Sequence, residues 1–269
     1  MARRTASRLL VILVGVAAAL ALGAQPALAQ PPPNDDFDNA IVITSLPFQD
    51  TQDTTEATTA PDDPECVGQG PTVWYRFTPS ADASIVAHTA GSDYDTTLSA
   101  YTGTRGSLTQ IACNDDAIGL QSRIQLDVTA GTTYHFMVGS FASGPGGNLV
   151  FSVEELPPPM ELAVDLARNG TVNRAGVATL RGTLTCSREG QVDLTVGLRQ
   201  RIGDRVSIGF AAATVDCDGT ERWRIRVVGE TGGFRPGRAF GLAVARFEDP
   251  ARLEVVTDRD DGTVRLRRP

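Results

Sequence analysis

The sequence predicts an all-β protein made of two β-sandwiches, the first jelly-roll-like and the second immunoglobulin-like, that follow a cleaved signal peptide. Two observations carry the prediction: short segments with apolar residues at alternate positions, and Gly-rich turns between them. After the first thirty residues, no segment has convincing helical periodicity. The 269 residues are 41% hydrophobic, which is enough to bury a core.

Residues 1–29 have the features of a secretory signal peptide. Three arginines give a positive start, residues 9–22 are apolar, and Ala27-Leu28-Ala29 is a small-x-small cleavage site. The apolar stretch is short for a membrane span, although an uncleaved N-terminal anchor is the alternative. We therefore expect a secreted, extracellular protein with no membrane span after cleavage.

A proline-rich segment at 157–160 is predicted to be a stiff linker between domains at 30–156 and 161–269. Residues 30–156 contain 3 Arg and 17 Asp or Glu, whereas residues 157–269 contain 18 Arg and 15 Asp or Glu. The net charge of −8 for the whole chain argues against nucleic acid as a partner. All 24 basic residues are Arg, so any chemistry that requires a lysine is excluded.

Four cysteines in an exported chain predict two disulfides. Of the three possible pairings, Cys66 with Cys113 and Cys186 with Cys217 keeps each bond on one side of the linker. Each bond would close a loop of about 30–50 residues and stabilise the fold by roughly 3–4 kcal/mol. A zinc site is the alternative, although no CxxC motif occurs.

Six segments of the first domain are predicted to be strands, because they are short and rich in β-branched or aromatic residues. They are residues 73–77, 84–89, 97–101, 123–128, 133–138 and 149–153. Ala130-Gly131 predicts a hairpin turn between the fourth and the fifth of these strands.

The second domain has three sets of apolar residues that alternate with polar ones, the pattern of half-buried strands. These sets are Leu162/Val164/Leu166, Val192/Leu194/Val196/Leu198 and Trp223/Ile225/Val227. We expect Trp223, six residues after Cys217, to pack against the disulfide in the core.

An ordered series of motifs runs through the first domain. It comprises Asn34-Asp35-Asp36-Phe37-Asp38-Asn39-Ala40, Val73-Trp74-Tyr75-Arg76-Phe77, Gly91-Ser92-Asp93-Tyr94-Asp95-Thr96-Thr97-Leu98, Tyr101-Thr102-Gly103, Cys113-Asn114-Asp115-Asp116, Ser122-Arg123-Ile124 and Ala130-Gly131-Thr132-Thr133-Tyr134. The series covers nearly all of 34–154 and resembles the bacterial pre-peptidase C-terminal (PPC) domain, a secreted jelly-roll β-sandwich. The resemblance implies a non-catalytic domain that accompanies exported enzymes. Related domains bind collagen or polysaccharide, some of them with calcium.

The second domain has a looser resemblance, over about 177–245. The residues that carry it are Gly182-Thr183-Leu184-Thr185-Cys186, Leu198-Arg199-Gln200, Cys217-Asp218-Gly219 with Trp223, and Phe234-Arg235-Pro236-Gly237. These pieces are similar to a small uncharacterised family of secreted actinobacterial domains with an immunoglobulin-like sandwich. That resemblance implies a fold and no activity.

Clusters of Asn and Asp are the candidate metal ligands, because a hard cation such as Ca²⁺ takes six to eight oxygen ligands. The candidates are Asn34, Asp35, Asp36, Asp93, Asp95, Asn114, Asp115 and Asp116. Related collagen-binding domains use an Asn-Asp pair near their start for calcium, and this pair corresponds to Asn34 and Asp35. The alternative is that these residues form turns, since Asp side chains readily bond nearby backbone amides.

Arginines at alternate positions form the second candidate site. Arg222, Arg224 and Arg226 share one strand face, opposite Trp223 and its apolar neighbours. Arg199/Arg201 and Arg265/Arg267 repeat the spacing, so the outer sheet face is an arginine surface if these strands are neighbours. This face is a candidate for binding anionic cell-wall polymers or the acidic first domain. An ordinary solvated surface is the alternative.

The sequence favours a non-catalytic protein. His88 and His135 are its two histidines, both are predicted to lie on strand faces, and neither GxSxG nor HExxH occurs. We therefore expect an accessory protein that binds an extracellular polysaccharide, cell wall or collagen-like protein, with calcium as a candidate cofactor. The alternatives are a structural or interaction protein of the cell envelope and a secreted hydrolase that acts through two carboxylates.

Overall fold

The computed structural model describes residues 30–269, so the signal-peptide prediction lies outside the described residues. Within this range the regular structure is β, apart from one turn of 3-10 helix at Phe37–Asn39. No helix in the described range is long and apolar enough to span a membrane. The all-β prediction is confirmed.

Nine strands of the first unit form two sheets that pack face to face. They are β1 (Ile41–Ile43), β2 (Phe48–Asp53), β3 (Gln69–Phe77), β4 (Ala83–His88), β5 (Thr96–Thr104), β6 (Ser107–Asn114), β7 (Arg123–Val128), β8 (Tyr134–Phe141) and β9 (Asn148–Glu155). One sheet has the order β1-β3-β8-β5-β6 and the other the order β2-β9-β4-β7. Tyr75 and Phe136 of the first sheet and Ile85 and Phe151 of the second are fully buried in the core between them.

Each of the six predicted strands overlaps an observed one, whereas the predicted hairpin at Ala130-Gly131 is wrong. The turn joins β7, which pairs with β4, to β8, which pairs with β3 and β5, so the chain crosses from one sheet to the other. The backbone N–H of Gly131 donates to the carbonyl of Pro79 at 2.9 Å. The turn is thus bonded to the connection between β3 and β4. The residues Ala130-Gly131 predict a chain reversal, but they do not determine which strand β8 pairs with.

Six strands form the second unit, and four of them are longer than any strand of the first. The six strands are β10 (Leu162–Leu166), β11 (Asn169–Val172), β12 (Ala178–Ile202), β13 (Arg205–Val227), β14 (Gly237–Asp249) and β15 (Glu254–Arg267). β12 pairs with β11 near its start and with β14 in its second half, while β15 pairs with both β11 and β14. The hydrogen-bonded sheet therefore closes around one core. Val192, Leu194 and Val196 are fully buried in that core, in agreement with their alternation in the sequence.

The structure contains both expected disulfides, Cys66–Cys113 and Cys186–Cys217, and no free cysteine in the described chain. The second bond joins β12 to β13 where the register shifts between Cys186 and Gly190. Trp223 is buried in the same core as this disulfide, as expected. Because all four cysteines are bonded to each other, none is available for the alternative zinc site.

Arginine side chains hold the proline-rich segment in place. The guanidinium of Arg252 donates to the carbonyl of Pro157 through Nε at 2.9 Å and through a terminal nitrogen at 2.8 Å. Arg188 Nε donates to the carbonyl of Pro158 at 2.9 Å. Gln125 of β7 also donates to the backbone carbonyl of Arg252 at 2.8 Å. The segment and the strand β7 are therefore bonded to the second unit.

Candidate functional site

An open cleft lies at one end of the first unit, where three loop segments meet. Its lining comes from residues 53–55 after β2, from 93–95 before β5, and from 140–148 between β8 and β9. The cleft has a volume of about 510 Å³. Two of the predicted site residues, Asp93 and Asp95, line it.

Hydrogen bonds and two glycines hold the three segments together. Thr54 N donates to the carbonyl of Gly147 at 2.8 Å. The Asp93 carboxylate accepts from the backbone N–H of Asn148 at 2.8 Å and from its side-chain amide at 2.7 Å. A Cβ at Gly146 would lie 2.1 Å from the carbonyl oxygen of Thr54, and one at Gly147 would lie 2.4 Å from Asp93 Oδ1. Only glycine permits this approach at both positions, so the cleft is preformed rather than assembled by a ligand.

The cleft presents aromatic and polar groups side by side. Phe141 is 38% exposed, and the Tyr94 hydroxyl accepts from Thr54 Oγ1 at 3.2 Å. Burial raises the pKa of Tyr94 to about 12, so this hydroxyl is neutral and remains a hydrogen-bond donor. Hydrogen bonds from the Thr55 backbone and side chain lower the pKa of Asp53, which keeps this carboxylate ionised. An exposed ring beside such groups suits a ligand with both C–H surfaces and hydroxyl or amide groups.

Asp95 is the least satisfied carboxylate of the cleft. Its Oδ1 is buried and has no hydrogen-bond partner among the described residues. Burial raises the pKa of Asp95, and the nearby charges of Asp116 and Asp115 raise it further. Three of the predicted ligands therefore lie close enough to interact electrostatically.

The other predicted ligands have partners within the fold. Asn34 is fully buried, and its Nδ2 donates to the carbonyl of Trp74 at 2.9 Å while its Oδ1 has no partner in the described chain. Asp35 accepts from the backbone N–H and the hydroxyl of Thr58, both at 2.6 Å. Asp36 is exposed and precedes the 3-10 turn without capping it. The contacts of Asn34 and Asp35 join segments 40 and 23 residues apart in the sequence, so they are not the local turn bonds that were the alternative to calcium binding.

A similar arrangement occurs in the Asn114-Asp115-Asp116 turn. Asn114 Oδ1 accepts from the backbone N–H of Arg123 at 3.0 Å, and Asp115 accepts from that of Asp116 at 2.8 Å. Across residues 30–269, no group of three or more His, Cys, Asp or Glu side chains is positioned to hold a metal ion. Calcium binding therefore stays a prediction.

Both histidines lie on strands, as the sequence predicts. His88 is on β4, and His135 is on β8, with its ring 4.6 Å from that of Phe37. Burial is the main reason why the pKa of each imidazole is lowered, and a neighbouring arginine lowers each further. Both rings are therefore mainly neutral at pH 7.

The arginines predicted to share one face of a strand alternate with apolar residues, as expected. Arg222, Arg224 and Arg226 are exposed on β13, whereas Trp223 and Ile225 between them are buried. Arg224 lies directly opposite Arg181 of β12. Arg181 was not among the predicted site residues, because strand register is needed to place it beside Arg224.

The geometry defines an all-β protein of two units, each with one internal disulfide. The first unit has the cleft, and the second has exposed arginines at alternate positions of β13. No family model matches the chain. A curated relative, the neutral protease of Vibrio proteolyticus, is 30% identical over 76 residues, which are 28% of this chain and 12% of that protein. The chain thus corresponds to a small part of that relative.

Two solved structures are similar in part. The β-glucuronidase of Bifidobacterium dentium complexed with coumarin-3-O-glucuronide is 12% identical, with a TM-score of 0.26, over 72% of this chain and 39% of that one. The β-glucuronidase of Parabacteroides merdae with glycerol in its active site is 11% identical, with a TM-score of 0.25, over 74% of this chain and 28% of that one.

Proposed function

We propose that this protein is an exported, non-catalytic accessory protein that binds an extracellular polysaccharide or protein through the cleft. The preformed cleft, with its exposed Phe141 ring between hydrogen-bonding groups, is the observation that carries the proposal. Two disulfides support an oxidising compartment, and secretion is part of the proposal. The local similarity to a neutral protease and the motifs of the PPC domain support an accessory role beside secreted enzymes.

Charge and shape favour a neutral or basic ligand for this cleft. Asp53, Asp93 and Asp95 give it a negative character, and residues 30–156 contain 17 acidic residues against 3 Arg. A neutral polysaccharide would pack C–H groups on Phe141 and place hydroxyl groups on the carboxylates. A collagen-like or basic peptide would use the same carboxylates as charged acceptors.

Calcium assistance is the second part of the proposal. Asp95 Oδ1 is buried without a partner, and the charges of Asp115 and Asp116 oppose its ionisation. A hard cation with oxygen ligands would relieve both costs, and because the three carboxylates are not grouped to hold an ion in the described residues, the cation would have to draw them together. The Asp35 carboxylate suits this role less well, because Thr58 already donates to both of its oxygens.

The test is a pull-down of residues 30–269 on chitin, cellulose, insoluble cell wall and collagen. We expect retention on at least one of these materials, and a loss of about tenfold in affinity for Phe141→Ala, because an aromatic anchor in a pocket contributes on the order of 1–3 kcal/mol. The matched control is Phe210→Ala, which removes a phenylalanine that is 55% exposed on the second unit. Retention on none of the four would favour the structural or interaction protein, and turnover of a glycan or gelatin would favour the hydrolase.

A further inference from the structure

Four arginines form a row across the outer face of the second unit. Arg224 of β13 lies opposite Arg181 of β12, and Arg265 of β15 lies opposite Arg238 of β14. Asn169 of β11 completes the row, because it accepts from the Arg181 guanidinium and lies opposite Arg265. Neighbouring strands are about 4.8 Å apart, so the row follows the curved outer surface of the closed sheet for roughly 19 Å.

Three further arginines flank this row on the same face. Arg226 and Arg222 stand two positions to either side of Arg224, at about 7 Å along the strand. Arg267 stands two positions from Arg265, and Thr171 and Thr179 are paired between it and Arg226. We call these seven arginines the arginine face: Arg181, Arg222, Arg224, Arg226, Arg238, Arg265 and Arg267.

The charges of the arginine face are not neutralised by the protein. Other arginines of this unit form ion pairs, such as Arg168 with Asp260 at 2.7 Å and Arg259 with Asp261 at 2.9 Å. Within residues 30–269, none of the seven lies within 4.0 Å of a carboxylate oxygen. Like charges directly opposite each other destabilise a sheet, so each cross-strand arginine pair has a cost that a bound anion would remove.

An apolar depression adjoins the row. Its lining includes the apolar Leu166, Ala167 and Trp223 together with Arg181, Arg222 and Arg224. The Asp165 carboxylate also lines it and accepts from the Thr183 hydroxyl at 3.3 Å. Its volume is about 430 Å³. A sugar ring has C–H surfaces that suit such a depression, whereas a simple inorganic polyanion has none.

We propose that the arginine face binds a flexible polysaccharide that carries carboxylate or phosphate groups. Each guanidinium can donate two parallel hydrogen bonds to a carboxylate or a phosphate. The depression has room for a sugar ring between successive charges. The inference rests on the proposed function, because it names the polymer class for the second unit. The cleft of the first unit is a separate site with the opposite charge.

The test measures binding of residues 30–269 to polygalacturonate, which carries carboxylates, to a glycerol-phosphate teichoic acid, which carries phosphates, and to neutral dextran, at 50 and 200 mM salt. We expect binding to at least one anionic polymer and not to dextran, with the affinity weakening at the higher salt concentration because counterions are released. The two anionic polymers show which oxyanion is preferred.

Arg181→Gln, Arg224→Gln and Arg265→Gln combined are expected to weaken this binding by about tenfold or more, because three charge-assisted contacts to the oxyanions would be lost. The control combines Arg174→Gln, Arg205→Gln and Arg235→Gln, which removes equal charge from exposed positions elsewhere in the unit. An equal loss in the control, no loss in the first variant, or tighter binding to duplex DNA than to both glycopolymers would overturn the inference.

The proposed function of the cleft and the inference about the arginine face can be refuted separately. Retention on chitin or collagen that depends on Phe141, without binding to either anionic polymer, would overturn the inference and leave the proposed function intact. Arginine-dependent binding to an anionic polymer, with no effect of Phe141→Ala on any ligand, would support the inference and refute the role of the cleft.

Discussion

Trp223 lies directly over Gly182, its cross-strand partner. A Cβ on Gly182 would come within 2.3 Å of Cζ2 of the indole and within 1.8 Å of the carbonyl oxygen of Asp165. The indole Nε1 donates to the carbonyl of Thr183 at 3.1 Å, which fixes the ring in this position. The glycine thus allows the tryptophan to cover the sheet in the core that also contains the Cys186–Cys217 disulfide.

Gly182→Ala is therefore expected to lower the free energy of unfolding of the second unit by about 1–3 kcal/mol, the usual cost of overpacking. Denaturant unfolding followed by tryptophan fluorescence measures the change. Thr185→Ala is the control on the same strand, because Thr185 is exposed and its hydroxyl bonds only to that of Thr220. We expect the control to stay within about 0.5 kcal/mol of the wild type, and equal effects of the two substitutions would contradict the packing argument.

Arg252→Ala is expected to free the proline-rich segment. Arg252 is 9% exposed, and both of its bonds to the Pro157 carbonyl would be lost. Hydrogen bonds from charged donors contribute about 1.5–3 kcal/mol, so cleavage by a protease within residues 156–160 should become several-fold faster. Arg205→Ala, at an exposed position of β13, is the control. Identical cleavage of both variants would show that Arg252 does not hold the segment.

The histidines predict a loss of stability in mild acid. Burial, opposed by a neighbouring hydrogen bond or charge, lowers the folded-state pKa of His88 and His135 below 6.5. Below pH 6.5 the unfolded chain therefore binds protons that the folded chain does not. Their contribution to stability is complete above this pH and is lost as the pH falls towards the folded-state values. NMR titration should find both imidazoles with a pKa below 6.5, and His135→Gln should flatten the pH dependence of unfolding between pH 7 and 5. A pKa at or above 6.5 for both would refute this.

Asp95 predicts the opposite pH dependence. Its folded-state pKa is raised above 3.8, mainly by burial, so its ionisation opposes folding above that pH. Asp95→Asn should raise the melting temperature at pH 7, and the gain should disappear as the pH falls below about 4. Asp218→Asn, at an exposed position, should leave the melting temperature unchanged both at pH 7 and below pH 4. A gain that persists at pH 3 would point to a cause other than ionisation.

Calcium gives a further test of the same carboxylate. We expect calcium to raise the melting temperature of the wild type relative to chelator, because the cation would bring Asp95, Asp115 and Asp116 together without repulsion. The increase should be smaller in Asp95→Asn. Equal melting temperatures with calcium and with chelator, and no heat of binding, would remove calcium from the proposal.

The features that the sequence predicts correctly are local ones. Alternation placed Trp223 in the core and Arg224 on the surface, because the side chains of a strand point to opposite faces at every second position. The position of the cysteines on either side of a linker was enough to predict their pairing. In the first unit β1, β2 and β6 were missed, because β1 has only three residues, β2 is mostly polar, and β6 is half polar and only partly buried.

The features that could not be predicted depend on partners distant in the sequence. Arg181 joins the arginine row only through strand register, and the spacing of Arg265 could not show that β15 pairs with β11. No local pattern gives the register between strands that are not adjacent in the chain. The cleft was missed for the same reason. Gly146 and Gly147 look like ordinary loop glycines until Thr54 and Asp93 are placed against them.

The bonds that Arg188 and Arg252 make to the two proline carbonyls have a consequence for how the protein would bind a large target. Because these bonds restrict the linker, we expect the cleft and the arginine face to keep a constant separation. Once one site is engaged, the second then meets its ligand at a high effective concentration, provided that the target offers both chemistries at that spacing. The protein would therefore bind a surface that carries neutral and anionic polysaccharides side by side much more tightly than it binds either polysaccharide alone.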